Sequence, residues 1–245
     1  MYYRVYLTTK IKAKNLEKGT GIIVIEPDDY TSTEIKAIKS KGYKVLGYLS
    51  VGTIEKERTW YKTYKNCGLK KLEDWPNERY ADLTKKKWQE FVVSRAKNLK
   101  KRGFDGYWCD NIDVVEYYPS DEMLQSCIDI LTTIKEIGGY VMINGGSKFL
   151  EECIKTGVDP KGFINGYTQE EVFSRITSYS GKGKFGVQHK KETTYYKKII
   201  DICNTRKMET YLLEYSKDDS VKEKIRQFYK LGGCTGYYIA KDVNL

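Results

Sequence analysis

A single histidine, His189, occurs among 245 residues, and that scarcity removes most histidine-based chemistry. A multi-histidine zinc site cannot be assembled, and a Ser-His-Asp triad could draw on one ring only. His189 lies in a Gly- and Lys-rich stretch and is read as an ordinary surface residue. Cysteine is scarce as well: Cys67, Cys109, Cys127, Cys153, Cys203 and Cys234 are widely spaced, with no Cys-x-x-Cys pair. That spacing argues against structural zinc and a disulfide framework, and the six are read as small buried apolar side chains. Only four prolines are present, and no Pro-rich linker, low-complexity tract or internal repeat divides the chain. No stretch approaches the roughly 20 apolar residues of a membrane span, and Met1-Tyr2-Tyr3-Arg4 leads into a short strand, too polar for a signal h-region. The expectation is one domain, residues 1–245, monomeric, without a membrane span, and either cytoplasmic or a trimmed or exported extracellular protein.

What is abundant is lysine and tyrosine. There are 43 Lys and Arg against 33 Asp and Glu, a formal charge of +10. Such an excess can signal nucleic acid or an anionic surface as partner. The lysines, however, fall along expected helix faces, as in Lys85-Lys86-Lys87, Lys100-Lys101-Arg102, Lys190-Lys191 and Lys197-Lys198, where solvated charge explains them. No nucleic-acid-binding signature accompanies them, so no nucleic-acid partner is expected.

Segments rich in β-branched and aromatic residues alternate with longer segments of 3.6-residue apolar period, the pattern of a parallel sheet with crossover helices. Eight strands are expected: Tyr3 to Leu7, Gly21 to Glu26, Lys44 to Leu49, Asp105 to Cys109, Tyr140 to Asn144, Phe163 to Thr168, Thr210 to Glu214, and Gly236 to Ala240. Eight strands close a barrel, and α/β barrels commonly run about 200 to 250 residues, so the fold class is α/β, a single (β/α)8 TIM barrel. A helix with Thr84 as N-cap carries Trp88, Phe91, Val92, Arg95 and Leu99 on one face and stops at Gly103. A second starts near Ser120, repeats Leu124, Cys127, Ile128, Leu131 and Ile134, and ends at Gly138-Gly139. Shorter helices are expected from Thr31 to Lys41, Ser147 to Thr156, Glu192 to Lys207 and Asp219 to Leu231. The long connection from Ser50 to Thr84 reads as a helix plus a loop over one face.

Parallel barrel strands open their carboxyl ends on one face, where chemistry collects. Acid concentrates there: Glu26, Asp28 and Asp29 after strand two, Asp110 and Asp113 after four, Glu170 and Glu171 after six, Glu214 after seven, and Asp242 after eight. Asn144 follows strand five, and Tyr215 follows seven. Carboxylates sharing a cleft repel one another, so at least one is expected to titrate high, as a general acid near neutrality requires. Two reaction classes use such a site: glycosidic cleavage by a carboxylate pair, and chemistry around an oxygen-held divalent metal. The chain's 22 tyrosines and four tryptophans include Tyr30, Tyr48, Trp60, Trp108, Tyr117, Tyr167 and Tyr215 near those ends. Flat rings beside carboxylates suit a sugar face. Any single ring is read as core before ligand platform, and Trp108, inside a strand, is expected to point outward to a helix.

Three motifs go further. Tyr48-Leu49-Ser50-Val51-Gly52, followed by Trp60-Tyr61, resembles the Y-L-S-V-G segment of glycoside hydrolase family 114, the endo-α-1,4-polygalactosaminidase and spherulin-4-like family. Gly103-Phe104-Asp105-Gly106 leading to Asp110-Asn111-Ile112-Asp113 is similar to that family's G-F-D-G-x-x-x-D-N-x-D signature, and Ile164-Asn165-Gly166 through Glu170-Glu171-Val172-Phe173 to its strand-six glutamate segment. The resemblance implies a (β/α)8 barrel that cleaves α-1,4-linked galactosamine polymer without cofactor or metal. It places the nucleophile at Asp110 and the acid/base at Glu170, with Glu171 the less favoured of the two glutamates. Asp113 is read as binding a sugar hydroxyl or orienting its neighbours, and Asp28, Tyr48, Asn144, Glu171, Glu214 and Tyr215 as substrate-binding candidates. The chain departs from the family at Glu26-Pro27-Asp28, where an aspartate is frequent.

The positive total charge would repel a cationic, deacetylated galactosamine polymer at long range. Either local acidity at the mouth overrides it, or the substrate is acetylated, neutral or anionic. Two readings of other classes stand beside the hydrolase: a catalytically lapsed carbohydrate-binding barrel, and a basic protein that binds anionic polymers.

Overall fold

The structure, a computed structural model, describes residues 1–245. Eight parallel strands close a barrel: β1 (Tyr2–Tyr6), β2 (Gly21–Ile25), β3 (Tyr43–Ser50), β4 (Gly106–Asp110), β5 (Tyr140–Asn144), β6 (Gly166–Glu170), β7 (Glu209–Tyr215) and β8 (Gly236–Ala240). Closure is completed where Tyr2 of β1 meets Tyr237 of β8. Around the barrel run α1 (Ser32–Lys39), α2 (Lys86–Lys101), α3 (Asp121–Ile137), α4 (Ser147–Lys155), α5 (Lys190–Thr205) and α6 (Asp219–Lys230). Between β1 and β2 the crossover carries only a 3-10 turn, Ala13–Asn15. No helix is long and apolar enough to cross a membrane.

Two apolar layers follow from the two-residue alternation of each strand. Inward-facing side chains, among them Tyr3, Ile22, Leu46, Trp108, Met142, Tyr211 and Leu213, fill the lumen. Outward-facing neighbours such as Tyr107, Cys109, Val141, Ile143 and Tyr167 join the helices in a second, larger core. The lumen rings keep their polar ends satisfied. Trp108 Nε1 donates to Tyr3 Oη at 3.1 Å, and that hydroxyl lies 3.0 Å from Thr168 Oγ1. Trp108 therefore points into the barrel and not toward a helix, because it stands two residues before the inward-facing Asp110. All six cysteines are free and buried.

Several boundaries differ from the sequence reading. β6 begins at Gly166, not Phe163, because a 3-10 turn over Pro160–Gly162 occupies the preceding residues. Thr84 does not cap α2. Asp82 Oδ1 accepts from both the Thr84 amide and its hydroxyl, leaving Lys85 at the N-cap without a side-chain bond. Ser120 does cap α3, accepting from Met123 N at 3.1 Å.

The long connection after β3 is more than a helix and a loop. It holds a four-residue helix, Tyr61–Tyr64, and a three-stranded antiparallel sheet in which Glu78–Ala81 lies between Thr53–Glu55 and Gly68–Lys71. A second excursion follows β6, an antiparallel hairpin of Ser174–Ser178 with Lys184–Val187. Both rise from the carboxyl ends of barrel strands and wall the mouth.

Candidate functional site

A cavity of about 680 Å³ opens at the carboxyl ends of the strands. Asp110, the last residue of β4, Asn144 of β5, Glu170 of β6 and Tyr215 of β7 all occupy inward-facing terminal positions. One amide joins the carboxylates. Asn144 Nδ2 donates to Asp110 Oδ1 at 2.9 Å and to Glu170 Oε1 at 2.7 Å, so these two oxygens are no farther apart than those bonds placed end to end. Tyr215 Oη donates to Glu170 Oε2 at 2.6 Å. Asn144 Oδ1 is buried without a partner, a lone acceptor at the cavity's base.

The electrostatics follow from this enclosure. Burial pushes the Asp110 carboxyl up to about 7; the Asn144 bond opposes the rise and the Glu170 charge adds to it. Burial likewise pushes Glu170 up to about 7, against the bonds from Tyr215 and Asn144. The two titrate as a pair in the neutral range. Asp113 is raised to about 6, chiefly by burial.

The backbone turns sharply just after each carboxylate. Asn111 has φ 64° and Glu171 φ 58°, left-handed conformations that asparagine tolerates better than glutamate does. Asn111 uses the turn to donate to Ser50 Oγ at 3.2 Å, Thr53 Oγ1 at 3.0 Å and Asp110 Oδ2 at 3.4 Å. Gly52 belongs to the same junction, since a Cβ there would lie 1.8 Å from the Asn111 carbonyl oxygen. Behind β5, Asp113 Oδ1 accepts from Gly146 N at 2.8 Å, and a Cβ on Gly145, φ 66°, would meet Asp113 Oδ2 at 2.6 Å. Asp113 thus braces the turn that follows Asn144.

The other sequence candidates divide by strand alternation. Tyr48 faces inward and donates to Glu55 Oε1 at 2.9 Å. Glu214 faces outward, being adjacent to the inward Tyr215, and does not line the cavity. Its carboxylate instead accepts from Phe173 N, Ser174 N and Ser174 Oγ, anchoring the chain beyond Glu171. Glu171 reaches the cavity wall but spends its carboxylate on Ile176 N. Asp28 is absent from the lining too. Arg95 Nη2 holds both its oxygens at 3.0 Å on the outer rim. His189 lies at the exposed surface beside Arg175, 2.8 Å from its Nη1.

Sequence reasoning did not single out Glu55, Arg58 or Glu78. Arg58 pairs with Glu55 and, at 2.9 Å, with Glu26, while Glu78 accepts from Thr53 Oγ1 at 2.8 Å and is raised by burial to about 7. Glu55 and Glu78 are register partners on the inserted sheet, and Arg58 lies in the turn that follows Glu55. Alternation could have linked Glu55 to Thr53, but its pairing with Glu78 joins distant segments. No group of three or more His, Cys, Asp or Glu is arranged to hold a metal ion.

Comparison with known proteins fits this geometry. A protein of Thermotoga maritima described as uncharacterized is 24% identical over 124 residues, which cover 47% of this chain and 38% of that protein's length. The glycoside hydrolase domain of PelA from Pseudomonas aeruginosa shares the fold with a TM-score of 0.80 at 15% identity, covering 99% of this chain and 96% of that one. Ega3 of Aspergillus fumigatus, solved in complex with galactosamine, gives a TM-score of 0.72 at 16% identity, with 99% and 91% covered. The model of glycoside-hydrolase family GH114 matches residues 3–139, more than half of the sequence and including both the Y-L-S-V-G and D-N-x-D segments, and the chain therefore belongs to that family.

Proposed function

We propose that this glycoside hydrolase is an endo-acting enzyme that cleaves α-1,4-linked, galactosamine-containing polysaccharide with retention of anomeric configuration. The observation that carries the mechanism is the Asn144 amide shared by Asp110 and Glu170. A separation bounded by two hydrogen bonds suits the carboxyl spacing of about 5 to 5.5 Å used by retaining enzymes, and is too short for the roughly 6.5 to 9.5 Å that admits an inverting water.

Asp110 is the nucleophile. Both of its donors are amides, Asn144 and Asn111, which stabilise an anion and cannot take its proton. Glu170, protonated, gives its proton to the glycosidic oxygen as Asp110 attacks the anomeric carbon, forming a glycosyl ester and releasing the shortened chain. Glu170, now ionised, takes a proton from water, which attacks the same carbon and restores the Asp110 carboxylate. Tyr215 holds the Glu170 carboxylate in place for the second step.

Charge supports the amino sugar. Nine of the cavity's lining side chains carry carboxyl groups, and even with Glu170 protonated the anions among them outnumber the two cations, Arg58 and Lys148, in a chain whose total is +10. Within a Debye length of about 8 Å this local field outweighs the distant lysines, so an ammonium-bearing chain is attracted at the mouth. The galactosamine bound to Ega3 points to the same sugar.

The test is a panel of galactosamine-containing oligosaccharides, acetylated and deacetylated, with product length and product anomer as readouts. The expected products are internal fragments of retained configuration, with faster cleavage where amines are free. Asp110→Asn is expected to lose essentially all turnover while the fold survives. Inverted products, or near-normal turnover in Asp110→Asn, would refute the mechanism.

A further inference from the structure

The two excursions around the mouth touch each other. The turn between Gly68–Lys71 and Glu78–Ala81 carries Trp75, and the turn of the Ser174–Val187 hairpin carries Tyr179. Their rings meet edge to face, centroids 5.3 Å apart. Both residues line the cavity and remain open to solvent, Trp75 47% and Tyr179 36% exposed, so the pair sits at the edge of the cleft.

The topology gives the contact its meaning. One excursion follows β3 and the other β6, with β4 and β5 between them on one side and β7, β8, β1 and β2 on the other. Two rings joining those loops form a chord over the barrel mouth. Asp110, at the end of β4, lies on the short side, and Glu170, at the end of β6, stands at the foot of the hairpin. The cavity continues past Glu170 to Tyr215 of β7 on the other side, so a chain that lies across both carboxylates and fills the cavity runs under the chord. With the rings together, only a free end can be passed beneath; an internal segment can enter only when they part. A single edge-to-face contact between two otherwise exposed rings is weak enough to open and re-form.

We propose that the Trp75–Tyr179 contact is a removable roof that decides between internal and terminal attack, and that internal cleavage takes place only from its parted state. This rests on the polysaccharide reading above, and names for that site the two residues that set its mode of action. The hydrogen bonds of Asp110, Asn144 and Glu170 involve neither ring, so the roof acts on access and not on the chemical steps.

The test uses the full chain with Trp75→Cys and Tyr179→Cys, the two thiols then joined by a short bifunctional thiol reagent. The native cysteines are all buried and do not compete. Substrates are a long α-1,4-galactosamine polymer and short reducing-end-labelled oligosaccharides of the same sugar. The joined enzyme is expected to lose internal cleavage of the polymer and to keep cleavage of the short chains. The unjoined double variant and Trp75→Ala are expected to keep both. If the joined enzyme still cuts the polymer internally, or loses both activities while the unjoined variant keeps them, the roof proposal is overturned and the hydrolase reading stands. A wild-type enzyme inert on both substrates would overturn the hydrolase reading, and the roof with it.

Discussion

Replacing Tyr215 by phenylalanine removes one oxygen from the site and leaves the ring that packs against Phe185. The lost hydroxyl donates to Glu170 at 2.6 Å. Burial and the Glu170 charge hold the Tyr215 phenol well above its ordinary value, so it stays a neutral donor across the working range. A hydrogen bond to a charged acceptor contributes about 1.5 to 3 kcal/mol, and each pKa unit corresponds to about 1.4 kcal/mol, so the Glu170 carboxyl should rise by roughly one to two units. In the proposed mechanism Glu170 must be protonated in the free enzyme and Asp110 ionised. Glu170 therefore sets the limb on which kcat/KM falls as pH rises, and Asp110 the limb on which it falls toward acid. With both raised to about 7, the wild-type profile should be a narrow bell close to neutrality. Profiles of kcat/KM for one oligosaccharide, wild type against Tyr215→Phe, read both limbs at once. The alkaline limb should move upward by that one to two units while the acid limb shifts far less. An unmoved alkaline limb would refute the bond's role. Movement of the acid limb alone would reverse the assignment of Asp110 and Glu170.

Two further substitutions test the supports of the site. Burial raises the Glu214 carboxyl from 4.5 to about 7, so its neutral form is favoured by folding. That stability is fully present below about 4.5 and is lost as pH rises through about 7, a decline on the order of 3 kcal/mol from this one group. Denaturant unfolding at several pH values should show a flatter decline in Glu214→Gln, and an unchanged slope would contradict the account. Gly52→Ala places a methyl group 1.8 Å from the Asn111 carbonyl, which forces the two loops apart. A cost of about 3 kcal/mol lowers the Tm of a chain this size by roughly 6 to 12 °C, and turnover should fall with it as Asn111 leaves Asp110. A Tm equal to wild type would show that the loops separate freely.

The barrel was legible because its strands are dense in Val, Ile and Tyr and its helices carry an apolar stripe. Strand six was misplaced toward its amino end because Phe163 and Ile164 look like strand residues, while Pro160 starts a 3-10 turn just before them. Trp108 and Glu214 were misassigned for a different reason: alternation was not propagated along the strand from the residue of interest. If Asp110 faces the lumen, so must Trp108, and if Tyr215 does, Glu214 cannot. The inserted sheet was hidden from local reasoning, since Thr53–Glu55 pairs with Glu78–Ala81 across a long interval of chain and each strand is too short to show a period. For the same reason Arg58, Glu78 and Trp75 do not read as site residues from sequence.

The pairing of β5 with β6 has one more consequence. Asn144 stands opposite Thr168, so Glu170 projects one inward position higher than the amide it bonds. Sliding β6 by a single residue would turn its glutamate out of the lumen, and sliding it by two would displace the carboxylate by about 6.6 Å, past any contact with Asn144. The gap between Asp110 and Glu170 is thus quantised by the stagger of the barrel. On the proposed mechanism, a descendant of this enzyme cannot drift by small steps from retention to inversion along these strands; it would have to recruit a carboxylate from another strand or loop.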